Sequence, residues 1–192
     1  ICFSDVTTGW AVGYSGTLLK TTNGGIDWVT IKSGGFNIFK SVQFIDSLTG
    51  WVVGSMSFLL KTTDGGKNWN QISLQTSIYL ESICFVDINT GWGVGPEGLI
   101  AKTTDGGVSW TEQNREHEVP FYGVDFIDSQ NGWVVGIGGL VYKTTDGGLN
   151  WSQGYSTNTM WLKSIQITGP NVLWCVGGEG TIAKSTNGGK TW

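Results

Sequence analysis

Arginine is almost missing from this 192-residue chain. There is one, Arg115, against ten lysines, and the net charge is −4. A phosphate backbone is gripped by a basic stripe, which this composition does not supply, so nucleic acid is excluded as a partner. Charged residues reach only 14%, too few for a coiled coil or a disordered chain. No apolar run approaches the roughly 20 residues that cross a bilayer, and no membrane insertion is expected. Histidine occurs once, at His117, and cysteine three times, at Cys2, Cys84 and Cys175. The odd number and the lack of any CxxC spacing argue against a zinc cluster or a disulfide framework, leaving free buried thiols as the reading. No metal or other cofactor is expected. The chain starts with Ile and carries no signal segment, as a processed chain or an excised domain would.

Tryptophan and glycine are abundant, at 11 and 31 residues, and they are periodic. Trp10, Trp51, Trp92, Trp133 and Trp174 stand 41 residues apart, as do Trp28, Trp69, Trp110, Trp151 and Trp192. Phe3, Phe44, Phe85, Phe126 and Ile167 keep the same step. Each unit reads as four short strands, several of them apolar without alternation and so buried on both faces. Four strands in a period of about 40 to 45 residues is the signature of a propeller blade. The expected fold is an all-β propeller of four-stranded antiparallel blades. It is one domain over 1–192, with blades near 1–32, 33–74, 75–115, 116–156 and 157–192. The 13 residues that would join Trp192 back to Ile1 match one inter-blade connection (five periods of 41 less 192); a ring of five cut at that link is the expectation, and a fragment trimmed from a larger propeller is the alternative.

One nonapeptide recurs in every unit: KTTNGGIDW, KTTDGGKNW, KTTDGGVSW, KTTDGGLNW and KSTNGGKTW. Its acid is Asp64, Asp105 and Asp146 in three units and Asn23 and Asn187 in two. Asparagine keeps the acceptor oxygen and loses the charge. A turn in which that oxygen takes downstream backbone N–H groups tolerates the exchange, whereas a general acid or base does not. Calcium needs about six to eight oxygens, and one such turn offers a single carboxylate. The two glycines admit positive φ, and the Trp folds back as an apolar plug with a polar N–H handle. The five residues are therefore structural.

TTDGGKNW at Thr62–Trp69 matches the Asp-box, or BNR repeat, S/T-x-D-x-G-x-x-W, which occurs in sialidases, sortilin-type receptors and some glycoside hydrolases. With GWVVG at Gly50–Gly54 and Gly132–Gly136 preceding the box, the whole chain resembles the photosystem II stability/assembly factor family of propellers. The resemblance implies the propeller fold and protein interaction rather than catalysis. Such repeats are also similar to those of many secreted bacterial proteins, which implies an extracellular or periplasmic location. The assembly factors typically have seven blades and an arginine-rich patch, where this chain shows five repeats and one arginine. Sialidases hold the substrate carboxylate with three arginines, so that activity is excluded.

In a four-stranded meander the first and third turns share one end of the blade, and the second turn and the inter-blade link share the other. The boxes are third turns. The links differ most between units, so the face opposite the boxes is the expected binding face. It would carry Lys40, Tyr79, Glu81, Arg115, His117, Tyr122, Trp161 and Lys163, with Tyr14, Met56, Glu97 and Glu179 on the second turns. Trp161, the one Trp outside the two columns, reads either as core at a strand start or as an aromatic anchor. His117, among Glu116 and Glu118, reads as a solvated loop, with metal ligation the weaker alternative. Asp125 aligns with Cys2, Gln43, Cys84 and Gln166 on the innermost strand and would line the channel. The expected function is a non-enzymatic interaction or scaffold module for a protein partner. The alternative is a glycan-binding lectin or a glycoside hydrolase using a pair such as Glu97–Glu179 or Asp125–Glu81.

Overall fold

The chain is described from a computed structural model, over residues 1–32, 35, 37–55, 57–74, 78–113, 118–154 and 161–192. It is a propeller of five antiparallel meanders. The first blade holds β1 (Cys2–Phe3), β2 (Gly9–Val12), β3 (Leu18–Thr21) and β4 (Val29–Lys32), and the second β5 (Phe39–Phe44), β6 (Gly50–Gly54), β7 (Phe58–Thr62) and β8 (Asn70–Ser73). The third holds β9 (Ser82–Phe85), β10 (Gly91–Val94), β11 (Ile100–Thr103) and β12 (Thr111–Glu112). In the fourth are β13 (Phe121–Phe126), β14 (Gly132–Gly136), β15 (Val141–Thr144) and β16 (Ser152–Gln153). Among the described residues the fifth blade has three strands, β17 (Leu162–Gly169), β18 (Val172–Gly177) and β19 (Ile182–Ser185). β6 and β14 are buried at every position, because the second strand of a blade is covered by a neighbouring blade on each side. That is why GWVVG shows no alternation. The outermost strand β8 is polar and mostly exposed.

The core is divided among the seams between blades. Four apolar clusters fill the four junctions from blade 1/2 to blade 4/5. Three of the four seams share one ring stack, and at the fourth Ile167 stands where the others have Phe. The Trp on the second strand lies flat on the Phe that ends the next blade's innermost strand, at 3.5 Å for Trp10–Phe44, 3.8 Å for Trp51–Phe85 and 3.6 Å for Trp92–Phe126. That Phe in turn lies over the glycine of its own blade: a Cβ at Gly50 or Gly91 would sit 2.7 or 2.6 Å from ring carbons of Phe44 or Phe85. The Gly-Trp pair is therefore one device, a flat seat beside a plate. A lysine completes it. Lys61 and Lys102 lie over Trp51 and Trp92 and donate, with the indole N–H, to one carbonyl of the next blade's box. Trp51 Nε1 and Lys61 Nζ reach Gly106 O at 2.9 and 3.3 Å, and Trp92 Nε1 and Lys102 Nζ reach Gly147 O at 3.0 and 3.1 Å. At the first seam Lys20 alone makes this bond, to Gly65 O at 2.8 Å, and the buried indole N–H of Trp10 is unpartnered.

Among the described residues no fifth seam is made, and the expected closed ring is corrected to an open arc. Trp174 is 39% exposed while its four counterparts are at 0–2%. Phe3 is 42% exposed where Phe44, Phe85 and Phe126 are at 3–7%. Matching the length of one missing link says nothing about whether the two end faces meet.

Candidate functional site

The box acid sits in a closed local network. Thr62 Oγ1 donates to Asp64 Oδ1 at 2.9 Å and accepts the Gly66 N–H at 3.0 Å. Asp64 then takes the backbone N–H of Asn68 at 2.9 Å and its side-chain amide at 2.7 Å. Those two donors hold the Asp64 carboxyl down at about 2. Where the acid is an amide, the partner is exchanged to match. Asn23 Nδ2 donates to the Asp27 carboxylate at 2.9 Å, and Asn187 Nδ2 to Thr191 Oγ1 at 2.8 Å. Asp105 and Asp146 repeat the arrangement with Ser109 and Asn150. Every oxygen that a catalyst or cation would need is occupied by the turn itself. The box also docks on the first turn of its own blade through Gly65 N–H to Leu48 O and its four counterparts, so both turns share one end.

The other end is built differently. The innermost strands begin there, and in three blades the ladder to the second strand slips by one residue at the start, between Phe39 and Ser41, Phe121 and Gly123, and Leu162 and Ser164. The extra residue of each bulge is Lys40, Tyr122 or Lys163. A bulge turns the side chain out of the alternating pattern, and here the three line one hollow at the mouth of the central channel with Glu81. The hollow has a volume of about 390 Å³. Lys40 is ion-paired with Glu81 at 3.1 Å. Lys163 stands 3.4 Å from the centre of the Tyr122 ring. In blades 2 to 5 the glycine three residues past the second-strand Trp makes this entry possible: a Cβ at Gly54, Gly95, Gly136 or Gly177 would collide with the carbonyl oxygen of Ile38, Tyr79, Pro120 or Trp161, whereas one at Gly13 in blade 1 would meet nothing within 4 Å.

Four of the eight predicted binding residues are thus brought together. Tyr79, 47% exposed, stands on the link just before β9. Trp161 is half-buried, pairs with Ile137 through an isolated bridge and lays its indole over Gly178. It occupies a place between the core and anchor readings. Arg115 and His117, with Glu116 and Met56, lie outside the described residues. Glu97 and Glu179 sit at φ near 55° on second turns of blades 3 and 5, with blade 4 between them. Three further lining residues, Ser41, Ser82 and Ser164, were missed by residue type, although their 41-residue step was visible.

Asp125 lines the channel more deeply, but its oxygens are committed. It accepts the Ile167 N–H at 2.7 Å, the Phe126 N–H at 3.0 Å and the Cys84 thiol at 3.4 Å. Burial raises its pKa above the usual carboxylate value despite these donors. It belongs to a column of struts between innermost strands, in which Gln43 takes both backbone groups of Phe85. Burial also pushes the Cys175 thiol up to about 12 and, with the Asp125 charge beside it, raises that of Cys84. All three cysteines are free, with Cys2 half-buried. Among the described residues no group of three His, Cys, Asp or Glu side chains is placed to hold a metal ion.

No curated protein matches the chain. Solved structures do. YCF48 bound to D1 peptide is 24% identical, covers 100% of this chain and 78% of its own, and superposes with a TM-score of 0.59. YCF48 from Cyanidioschyzon merolae is 21% identical over 99% of this chain and 82% of that one, at 0.55. The GH74 xyloglucanase from Xanthomonas campestris, 15% identical, covers 96% of this chain and 37% of its own at 0.69, a likeness of fold alone. The profile described as Photosynthesis system II assembly factor YCF48 matches residues 1–80 and 73–192. With a repeat frame matched from end to end, and with the box, the Gly-Trp seat and the inter-blade lysine in their places, this chain belongs to the family of the photosystem II assembly factor YCF48.

Proposed function

We propose that the chain is a non-enzymatic protein-interaction module that holds an extended segment of a partner across the channel mouth, on the face opposite the Asp-box turns. The observation that carries this reading is the bulge column. Most columns of the repeat serve the seams and turns with the same residue type in every blade. At the bulges the blades supply Lys40, Tyr122 and Lys163 instead, with Glu81 at the same place in blade 3, and all four line one hollow. Specificity resides where a symmetric scaffold becomes asymmetric. The mouth offers an ammonium group, an aromatic face and serine hydroxyls, which suit the carbonyls and side chains of a polypeptide. Tyr79 adds an exposed aromatic beside it, of the kind that dominates interface energetics. Membership of an assembly-factor family, one member of which was solved with a D1 peptide, supports a protein partner. The reading includes export to an extracellular or periplasmic compartment, supported by the similarity of these repeats to those of secreted proteins and checked by fractionating the native host.

The test is titration of a labelled D1 peptide, with a scrambled peptide as control. Tyr79→Ala and Lys163→Ala are each expected to weaken binding by about tenfold or more with little change in melting temperature, because both side chains are exposed. Lys67→Glu at the box end leaves affinity unchanged. Loss of binding on Lys67→Glu with none on the mouth variants, or turnover of xyloglucan oligosaccharides, overturns the reading.

A further inference from the structure

Asparagine is followed by glycine three times in the chain, at Asn23, Asn131 and Asn187. In such a pair the glycine's amide nitrogen can attack the asparagine side-chain carbon, because no Cβ hinders its approach. Two of the three are box positions, Asn23–Gly24 and Asn187–Gly188, where asparagine replaces the usual acid. Both asparagines are exposed.

The box prepares the carbonyl for that attack. Asn23 Oδ1 accepts the Thr21 hydroxyl and the Asp27 N–H, each at 2.9 Å. Asn187 Oδ1 accepts the Ser185 hydroxyl and the Thr191 N–H, each at 3.0 Å. Two donors on one oxygen draw electrons from Cγ and hold the charge that gathers there when a nucleophile adds. The nucleophile is kept back by a clasp. The Gly24 N–H is donated to Thr7 O at 2.8 Å, and the Gly188 N–H to Asn171 O at 3.0 Å. Thr7 and Asn171 are exposed, so local opening of the two turns frees the nitrogen. Asn131 is different: Gly132 opens β14, buried beneath the Phe126 ring, and is freed only with the sheet. The acid boxes differ in chemistry. Asp64 and Asp146 titrate at about 2, and an ionised carboxylate offers neither an electrophilic carbon nor a leaving group.

We propose that Asn23 and Asn187 are self-modifying positions, converted to aspartate or isoaspartate through the amide of the following glycine, and that the residue four places on decides what the turn becomes. The glycine nitrogen bonds to Cγ, the Cγ–Nδ2 bond breaks, and Nδ2 leaves as ammonia, carrying the proton that the glycine nitrogen gives up. Water then opens the cyclic imide. Addition at Cγ leaves aspartate. Addition at the main-chain carbonyl leaves isoaspartate, whose extra backbone methylene breaks the register of the box. At Asn187 the aspartate makes an Asp-box, because Thr191 Oγ1, which now accepts Nδ2 at 2.8 Å, can turn its own proton to the new carboxylate as Ser109 does to Asp105. At Asn23 the new carboxylate faces Asp27 Oδ2 across 2.9 Å, and like charges at that range repel.

Incubation of the folded chain at mildly alkaline pH, followed by peptide mapping with isoaspartyl methyltransferase labelling, tests the conversion. Asn23 and Asn187 are expected to exchange amide for acid, with Asn131 slower by about tenfold or more. Urea denaturation tests the consequence. Asn23→Asp should lower the midpoint, and Asn23→Asp with Asp27→Asn should restore it by re-creating the Asp64–Asn68 pair. Asn187→Asp should leave the midpoint unchanged or raise it. No conversion at either box, over the time in which the free peptide KTTNGGIDW converts, overturns the proposal. So does conversion of Asn131 at the same rate, or an equal midpoint for Asn23→Asp and Asn187→Asp.

Discussion

At the scale of single residues, the box acid matters through the atom it faces. Asp64 faces the amide of Asn68, whereas in blade 1 the amide is Asn23 and the acid is Asp27. Each pairing joins one donor side chain to one acceptor, and the polarity can be reversed without altering the turn. Asp64→Ala is expected to lower the urea midpoint through loss of the bonds to the Asn68 backbone and side chain. The exchange Asp64→Asn with Asn68→Asp reproduces the blade 1 arrangement and should recover most of the loss. A double variant no better than Asp64→Ala would show that the charge itself is needed at position 64.

The same residues set an acid response. Asp64 and Asp146 titrate at about 2 when folded, held down by the backbone and side-chain N–H groups of Asn68 and Asn150. Their folded values lie below the unfolded 3.8, so their contribution is present above pH 3.8 and is lost as pH falls towards 2. Asp125 has the opposite sign. Burial raises its folded pKa, so its contribution is full below the unfolded value and is lost as pH rises through the folded one. The destabilisation caused by Asp125→Asn, read from urea midpoints, should therefore be greatest below pH 4 and shrink towards neutrality. A penalty that grows with pH would show that the ionised form is favoured at that site.

At the scale of elements, one column residue has two environments. Trp92 is fully buried, stacked on Phe126, and bonded to Gly147 O. Trp92→Ala removes a stacked ring and leaves a large cavity, at an expected cost of about 3–5 kcal/mol. Trp174 holds the same ladder position, opposite Lys184 as Trp92 is opposite Lys102, but its ring is 39% exposed, so Trp174→Ala measured at low protein concentration should cost less than about 1 kcal/mol. Chemical denaturation of the two variants side by side checks this. Equal losses would mean that blade 5 is covered in solution within one molecule, and the arc would then be closed. Gly91→Ala should also be severe, because the new methyl meets the Phe85 ring 2.6 Å away and either the stack or the strand must shift.

At the scale of the whole molecule, stability is coupled from neighbour to neighbour. Blades 2, 3 and 4 each share two filled seams, while blades 1 and 5 share one each. Such an array resembles a linear repeat protein more than a closed ring, with fraying from both ends. Amide hydrogen exchange at low protein concentration should accordingly run fastest in β2 and β3 and in β18 and β19, and slowest in β6, β10 and β14. Uniform protection across the five blades would contradict the open arc.

The period of 41 residues, the box and the Gly-Trp pair were enough to specify the blade, the number of blades and the structural role of Asp64, Asp105 and Asp146. These depend on contacts within one repeat or between identical neighbours, which recur in the sequence as columns. The opposite face was legible for the same reason: strand count alone puts the links at the end away from the boxes. What remained hidden depends on relations that no column records. A one-residue bulge at Lys40, Tyr122 and Lys163 leaves the spacing intact, so the turn of those side chains into one hollow appears only when strands are paired. Whether Trp174 meets Phe3 is set by the angle accumulated over five blades, a sum of small packing rotations that local residue types do not encode. The sequence determined the parts of the seam, and the tertiary structure decided that one copy of each half is left free.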